Sequence, residues 1–231
     1  MSEAAISVRD VWKFFGEFPA IRGLSLEVPA SGVLALLGRN GAGKTTLLRI
    51  MAGLLRPSKG SIEIPGSQDR LEQARSIGMV GHGQWLYEDL TAKENLEFFA
   101  ALYEVAGAKE QIAHWLEATG LWTFRDSRVG EFSRGMRQRL TVARAFLHDP
   151  RILLLDEPWT ALDDRAMNLV SSLLLGARSR NRTVVVCSHQ LHETLSVATH
   201  IAVLERGRLI FRGENTDEFK SSPRDFYQRI S

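Results

Sequence analysis

Short, unbroken apolar runs are the first pattern along this chain. Val33-Leu34-Ala35-Leu36-Leu37, Ile152-Leu153-Leu154-Leu155 and Val184-Val185-Val186-Cys187 carry no polar residue. Runs of this length without alternation read as strands buried on both faces, as in a parallel sheet. Residues 6–29 read as short strands around a loop, Ile6-Ser7-Val8 and then Ile21 to Val28, with more β material at 61–64 and 77–81. A helix is predicted from Lys44 to about Leu55, ended by Arg56-Pro57-Ser58-Lys59-Gly60. Beyond residue 150 the pattern alternates: strand 151–156, helix 163–180, strand 183–187, helix 190–198, strands 201–205 and 208–212. Alternation of this kind predicts a parallel sheet covered by helices.

The middle of the chain follows another period. Thr91-x-x-Glu94 has the form of a capping box, and Leu96, Phe99, Ala100 and Tyr103 then recur at helical spacing. A second helix is expected over 109–119. A third is expected from Arg134 to Leu147, with Met136, Leu140, Ala143 and Leu147 on one face. Residues 84–148 therefore read as a mostly helical insert within a single domain spanning 1–231, the rest (1–83 and 149–231) forming the core.

Composition narrows the class. The 231 residues are 44% hydrophobic and 24% charged, with a net charge of +2, so charge alone gives no support to a nucleic-acid partner. The single cysteine, Cys187, excludes an internal disulfide and reads as a small buried hydrophobe in a reducing compartment. The start MSEAAISVRD lacks the basic and apolar regions of a secretory signal. The apolar runs fall far short of the roughly 18–20 residues a membrane span needs. A cytoplasmic protein is expected, able to lie against a membrane through a partner.

The chemistry begins where strand 33–37 ends. Gly38-Arg39-Asn40-Gly41-Ala42-Gly43-Lys44-Thr45-Thr46 is a phosphate-binding loop set between a strand and a helix. Backbone N–H groups curled into a nest, a helix N-terminus and one lysine can together hold a polyphosphate. Lys44 would reach the β- and γ-phosphates, and Thr45 would ligate Mg²⁺. A second site follows strand 151–156, where Asp156 and Glu157 emerge at the strand's C-terminal end, the place where open α/β sheets bind ligands. Alternation along the strand would aim the two carboxylates differently. Asp156 is the candidate Mg²⁺ partner and Glu157 the candidate base for attack on the γ-phosphate. His189 leaves the next strand and can face the same cleft, donating to the γ-phosphate. Finally, Phe132-Ser133-Arg134-Gly135-Met136 opens a helix with a serine cap. Its free N–H groups suit phosphate, but the insert places it out of easy reach of its own phosphate loop, which favours a site on a second copy.

Together GRNGAGKTT, FSRGM, ILLLDEP, TALD and CSH, in that order, resemble the ATP-binding subunit of ABC transporters over nearly the whole chain. The resemblance implies an α/β P-loop NTPase fold: a RecA-like parallel-sheet core, an antiparallel β subdomain and an inserted α-helical subdomain. It implies an ATPase that converts ATP and water to ADP and phosphate, coupled to transport, with ATP and Mg²⁺ bound. It also implies a head-to-tail homodimer that sandwiches two ATP molecules, docked on permease transmembrane subunits at the inner face of the cell membrane. Carried over, Phe15 matches the aromatic that stacks on adenine. Ser133 and Gly135 match the signature contacts made in trans, Asp163 the dimer-contacting loop, and His189 the switch histidine.

Three departures stand out. Arg134 and Met136 replace the usual Gly and Gln of the signature, His82 occupies the position of the Q-loop glutamine, and Phe15 stands where Tyr is common. Gly81-His82-Gly83-Gln84 with Leu90 to Leu96 resembles the haem-exporter ATP-binding protein of cytochrome c maturation. The FSRGM segment resembles instead the drug- or polysaccharide-type exporters. Trp85-Leu86-Tyr87, between core and insert, either packs internally or forms a groove for a cytoplasmic permease helix. A mechanical ABC protein on a non-transporting membrane partner would carry the same motifs. An ABC ATPase of DNA repair or translation would need coiled coils, zinc cysteines or tandem cassettes, which this sequence lacks. No nucleic-acid partner is expected, and export is the favoured direction.

Overall fold

The computed structural model describes residues 4–67, 69–81, 85–176, 180–217 and 219. Two twelve-residue strands, β1 (Ala4–Phe15) and β2 (Phe18–Pro29), pair antiparallel where short strands around a loop were expected. Their register shifts at several bulges, which breaks the period-two pattern and hides their length in the sequence. Strand β3 (Val33–Leu37) leads through the phosphate loop into α1 (Lys44–Met51). That helix ends four residues before the expected Leu55. Gly53 turns left-handed at φ 71°, and the N–H groups of Leu54 and Leu55 bond back to the Arg49 carbonyl. Strand β4 (Lys59–Glu63) completes a three-stranded antiparallel sheet in the order β2-β1-β4.

Next comes a helix that no apolar period announced. α2 (Arg70–Ser76) is capped by the Asp69 side chain, which accepts from the Glu72 N–H. Strand β5 (Ile77–Val80) then leads to the helices α3 (Ala92–Leu102), α4 (Ala108–Ala118) and α5 (Arg134–Phe146). The capping box is complete: Thr91 Oγ1 accepts from the Glu94 N–H at 3.1 Å and the Glu94 carboxylate from the Thr91 N–H at 2.8 Å. After α5 come β6 (Ile152–Asp156), α6 (Asp164–Leu175), β7 (Thr183–Cys187), α7 (Leu191–Val197), β8 (His200–Glu205) and β9 (Arg208–Glu214). The α6 helix stops at Leu175 rather than at 180, with Gly176 as its cap.

The larger sheet has the order β5-β6-β7-β3-β8-β9, parallel throughout except for β9, which pairs antiparallel on β8. All five residues of β3, β6 and β7 are buried. Alternation divides them among three buried clusters, the smallest of which joins Ala35 and Leu37 of β3 to Leu195, Ile201 and Val203. Leu153, Leu155, Val184 and Val186 pack with Leu96, Phe99, Trp115, Leu140 and Phe146 of the helices. Leu154, Val185, Leu34 and Leu36 pack with Leu47 and Leu48 of α1 and with Ile6 and Leu24 of the small sheet. At about 1.5–3 kcal/mol per buried side chain, this two-sided burial accounts for runs with no polar residue.

Candidate functional site

Strands β6, β7 and β3 are neighbours and parallel, so their C-terminal ends share one edge. The phosphate loop follows β3, Asp156 and Glu157 close β6, and Ser188 and His189 follow β7. The topology gathers residues more than a hundred positions apart into one cleft of about 640 Å³. Its walls include Asn40 to Thr46, Asp156, Glu157, His189 and, on the outer rim, Phe15 and Phe18.

Within the loop, Gly43 sits at φ 104°, and a Cβ there would lie 2.8 Å from both the Ala20 carbonyl oxygen and Ile21 Cδ1. Only glycine lets β2 approach the loop this closely. Gly43 also gives α1 no side-chain cap, so the first N–H groups of that helix stay available to an anion. Lys44 Nζ donates to the carbonyls of Gly38 at 2.7 Å and Arg39 at 3.2 Å, which folds the ammonium back over the loop.

Thr45 Oγ1 donates to Asp156 Oδ2 at 2.7 Å, and Asp156 is 4% exposed. This pair fits Mg²⁺, a hard cation that takes one or two protein oxygens and completes its shell with water and phosphate oxygens. Glu157 is aimed differently from Asp156, but strand alternation is not the cause. β6 ends at Asp156, and Glu157 turns into the left-handed region at φ 54°, its N–H bonded to the Cys187 carbonyl at 2.8 Å. The Glu157 carboxylate accepts from Ser188 Oγ at 2.8 Å and from the His189 N–H at 3.0 Å, and the His189 Nδ1 lies 2.8 Å from it. His189 thus faces the cleft as expected, with Glu157 as its present partner. Behind the site, Cys187 is fully buried. Burial and then the neighbouring Asp156 carboxylate push its thiol well above the ordinary value.

Phe15 is 53% exposed, which rules out core packing, and Lys13 Nζ lies 5.3 Å from its ring centroid. Phe18 stands beside it on the rim; it carried no motif, so sequence reasoning missed it. The signature segment needs a correction. Arg134 lines the cleft of its own chain, because α5 folds back against the turn after β6. A Cβ on Gly135 would lie 2.8 Å from the Ala161 carbonyl oxygen, so this glycine serves a close approach within the chain. Ser133 and Gly135 themselves lie outside the cleft's lining. Ser133 caps α5 by accepting from the Met136 N–H at 3.2 Å, and Asp163 caps α6 by accepting from the Ala166 N–H at 2.9 Å. His82 lies outside the described residues.

A second, apolar cleft of about 250 Å³ lies between β5, α3 and α5, lined among others by Leu54, Met79, Trp85, Phe99, Tyr103 and Arg144. Trp85 and Tyr87 are 42% and 49% exposed, and Tyr87 meets the Phe98 ring edge-on at 4.9 Å. Leu86 packs inward on the helical core.

The sequence model for the ABC transporter family matches residues 21–160. The chain is 37% identical over 200 residues to the ABC transporter ATP-binding protein NatA of Bacillus subtilis, covering 84% of this chain and 81% of that one. It is 38% identical over 218 residues to the Nod factor export ATP-binding protein I of Burkholderia orbicola, covering 92% and 72%. It is 37% identical over 209 residues to the bacitracin transport ATP-binding protein BcrA of Bacillus licheniformis, covering 89% and 68%. Among solved structures, the ATP-binding cassette MJ0796, dimeric and bound to ADP and phosphate after hydrolysis, superposes with a TM-score of 0.81 at 26% identity, covering 91% of this chain and 99% of that one. An ATP-binding subunit of an ABC transporter superposes at 0.86 with 24% identity, covering 98% and 95%, a likeness of fold.

Proposed function

We propose, from the premise that this chain belongs to the ABC transporter family as an ATP-binding subunit, that it hydrolyses ATP in a homodimer to drive export through a permease. One observation carries the reading: Lys44, Thr45, Asp156, Glu157 and His189 meet in a single cleft. The loop N–H groups and Lys44 bind the β- and γ-phosphates. Thr45 and Asp156 would hold Mg²⁺, whose charge offsets that developing between the β- and γ-oxygens. Phe15 stacks on adenine. Glu157 orients the attacking water and takes its proton as the water oxygen bonds to the γ-phosphorus and the bond to the ADP oxygen breaks. His189 turns to the γ-phosphate. A second copy supplies Ser133, Gly135 and Asp163, while Arg134 stands at its own chain's cleft. Loss of the γ-phosphate then releases the two halves.

Docking is assigned to the apolar cleft beside Trp85 and Tyr87, on the permease's cytoplasmic side. The cargo is read as that of a drug- or polysaccharide-type exporter, supported by FSRGM and by the names of the Nod factor export and bacitracin transport relatives. The haem-export reading has Gly81-His82 behind it, and identifying the permease that co-purifies from membranes separates the two. The ATPase reading is tested by two substitutions. Glu157→Gln should bind ATP, dimerise and lose about 100-fold or more in turnover, and Lys44→Ala should lose nucleotide affinity. Turnover at the wild-type rate in Glu157→Gln rejects the role given to Glu157.

A further inference from the structure

The donors around Glu157 are not equivalent. The His189 imidazole sits on a side chain that is 69% exposed, free to rotate into the cleft. Its departure removes one of the contacts that hold the Glu157 carboxylate. Ser188 is 4% exposed and cannot follow. Its hydroxyl accepts from the Gln190 N–H at 3.1 Å, which leaves its own hydrogen directed to Glu157 Oε2 at 2.8 Å. The framework beneath is rigid: Asp156 and Cys187 are direct partners in the β6–β7 ladder, so Glu157 and Ser188 leave adjacent strand ends side by side. Glu157 holds a left-handed backbone at φ 54°, a conformation few non-glycine residues keep unless their surroundings fix it.

We propose that Ser188 is a positioning residue for hydrolysis: its buried hydroxyl holds the Glu157 carboxylate in its water-orienting pose while the His189 side chain turns away to the phosphate. This rests on Glu157 being the group that orients the water. The His189 N–H stays on Glu157 Oε1 at 3.0 Å when the imidazole turns, and the Ser188 hydroxyl fixes the other oxygen, so the two together set the plane of the carboxylate. Catalysis needs such a group held to within about 0.5 Å, and misplacement by about 1 Å can cost 100-fold. Ser188 touches neither water nor phosphate in this scheme, so its loss changes turnover and leaves nucleotide affinity alone.

The test compares steady-state ATP hydrolysis by the full chain as wild type, Ser188→Ala, Ser188→Val, Ser188→Thr, Glu157→Gln and the double variant Ser188→Ala/Glu157→Gln. Ser188→Ala and Ser188→Val should each lower kcat about tenfold or more with KM within about twofold. Ser188→Thr, which matches valine in shape but keeps the hydroxyl, should recover to within about threefold of wild type. In the Glu157→Gln background, Ser188→Ala should change kcat by less than about twofold, because the group it positions is already gone. Unchanged kcat in Ser188→Ala, an equal loss in both backgrounds, or threonine behaving like valine would each overturn the proposal. Wild-type turnover by Glu157→Gln is a distinct result and removes the premise about Glu157 itself.

Discussion

His148 shows how much a single residue's chemistry depends on neighbours distant in the chain. Its Nε2 lies 3.1 Å from the Ile77 carbonyl oxygen, and its ring stacks on Tyr103 with centroids 4.0 Å apart. Burial first, and the nearby Arg144 guanidinium to a smaller degree, pull its pKa from 6.5 to about 4 despite the opposing effect of the Ile77 bond. The folded protein thus holds this histidine neutral where the unfolded chain would take up a proton. The stability it contributes is full above pH 6.5 and is lost as pH falls towards 4. Urea unfolding at stepped pH should show that decline, and His148→Gln should flatten it. Nothing in Phe146-Leu147-His148-Asp149 announces this, since Ile77 and Tyr103 belong to other elements. The same holds for Ser188, whose meaning comes from Glu157, 31 positions away. Lys44, Thr45, Asp156 and Glu157 were legible because each lies in a contiguous motif whose spacing is itself the chemistry.

Among elements, the clearest signals were the apolar strands and the caps. β7 was read to the residue, and the Thr91–Glu94 box marked the start of α3, because both depend on adjacent residues alone. Removing Thr91 Oγ1 frees the Glu94 N–H, so Thr91→Ala should cost about 1 kcal/mol, read as a lower urea midpoint with an unchanged slope. Helix ends were read less well. Past α1 the apolar residues Leu54 and Leu55 prolong the helical pattern beyond the point where the backbone turns, and past α6 no proline marks the end; Gly53 and Gly176 stand at the two stops. α2 has too few apolar residues to show a period, and its evidence is the Asp69 cap. Bulges hid the length of β1 and β2, and the reach of Arg134 into its own cleft depends on how α5 packs on the turn after β6.

For the molecule as a whole, the topology sets two clefts apart. The C-terminal strand edge carries the phosphate site, and the apolar cleft beside Trp85 lies between the sheet and the helices. Trp85→Ala combined with Tyr87→Ala should weaken co-purification with the permease and leave ATP affinity within about twofold of wild type; a loss of ATP binding would make these aromatics structural. Arg144 connects the two sides of that cleft. Its guanidinium donates to the Met79 carbonyl at 2.8 Å and lies 5.4 Å from the Trp85 ring. Cys187, sealed beneath the C-terminal strand edge, has a practical consequence at this scale. The folded chain offers alkylating reagents no surface thiol, so it is a natural blank for labelling. A cysteine introduced at Lys109, exposed on α4 and outside both clefts, would be its sole reactive handle, and fluorophores attached there would test the proposed dimer by reporting whether two copies approach when nucleotide is added.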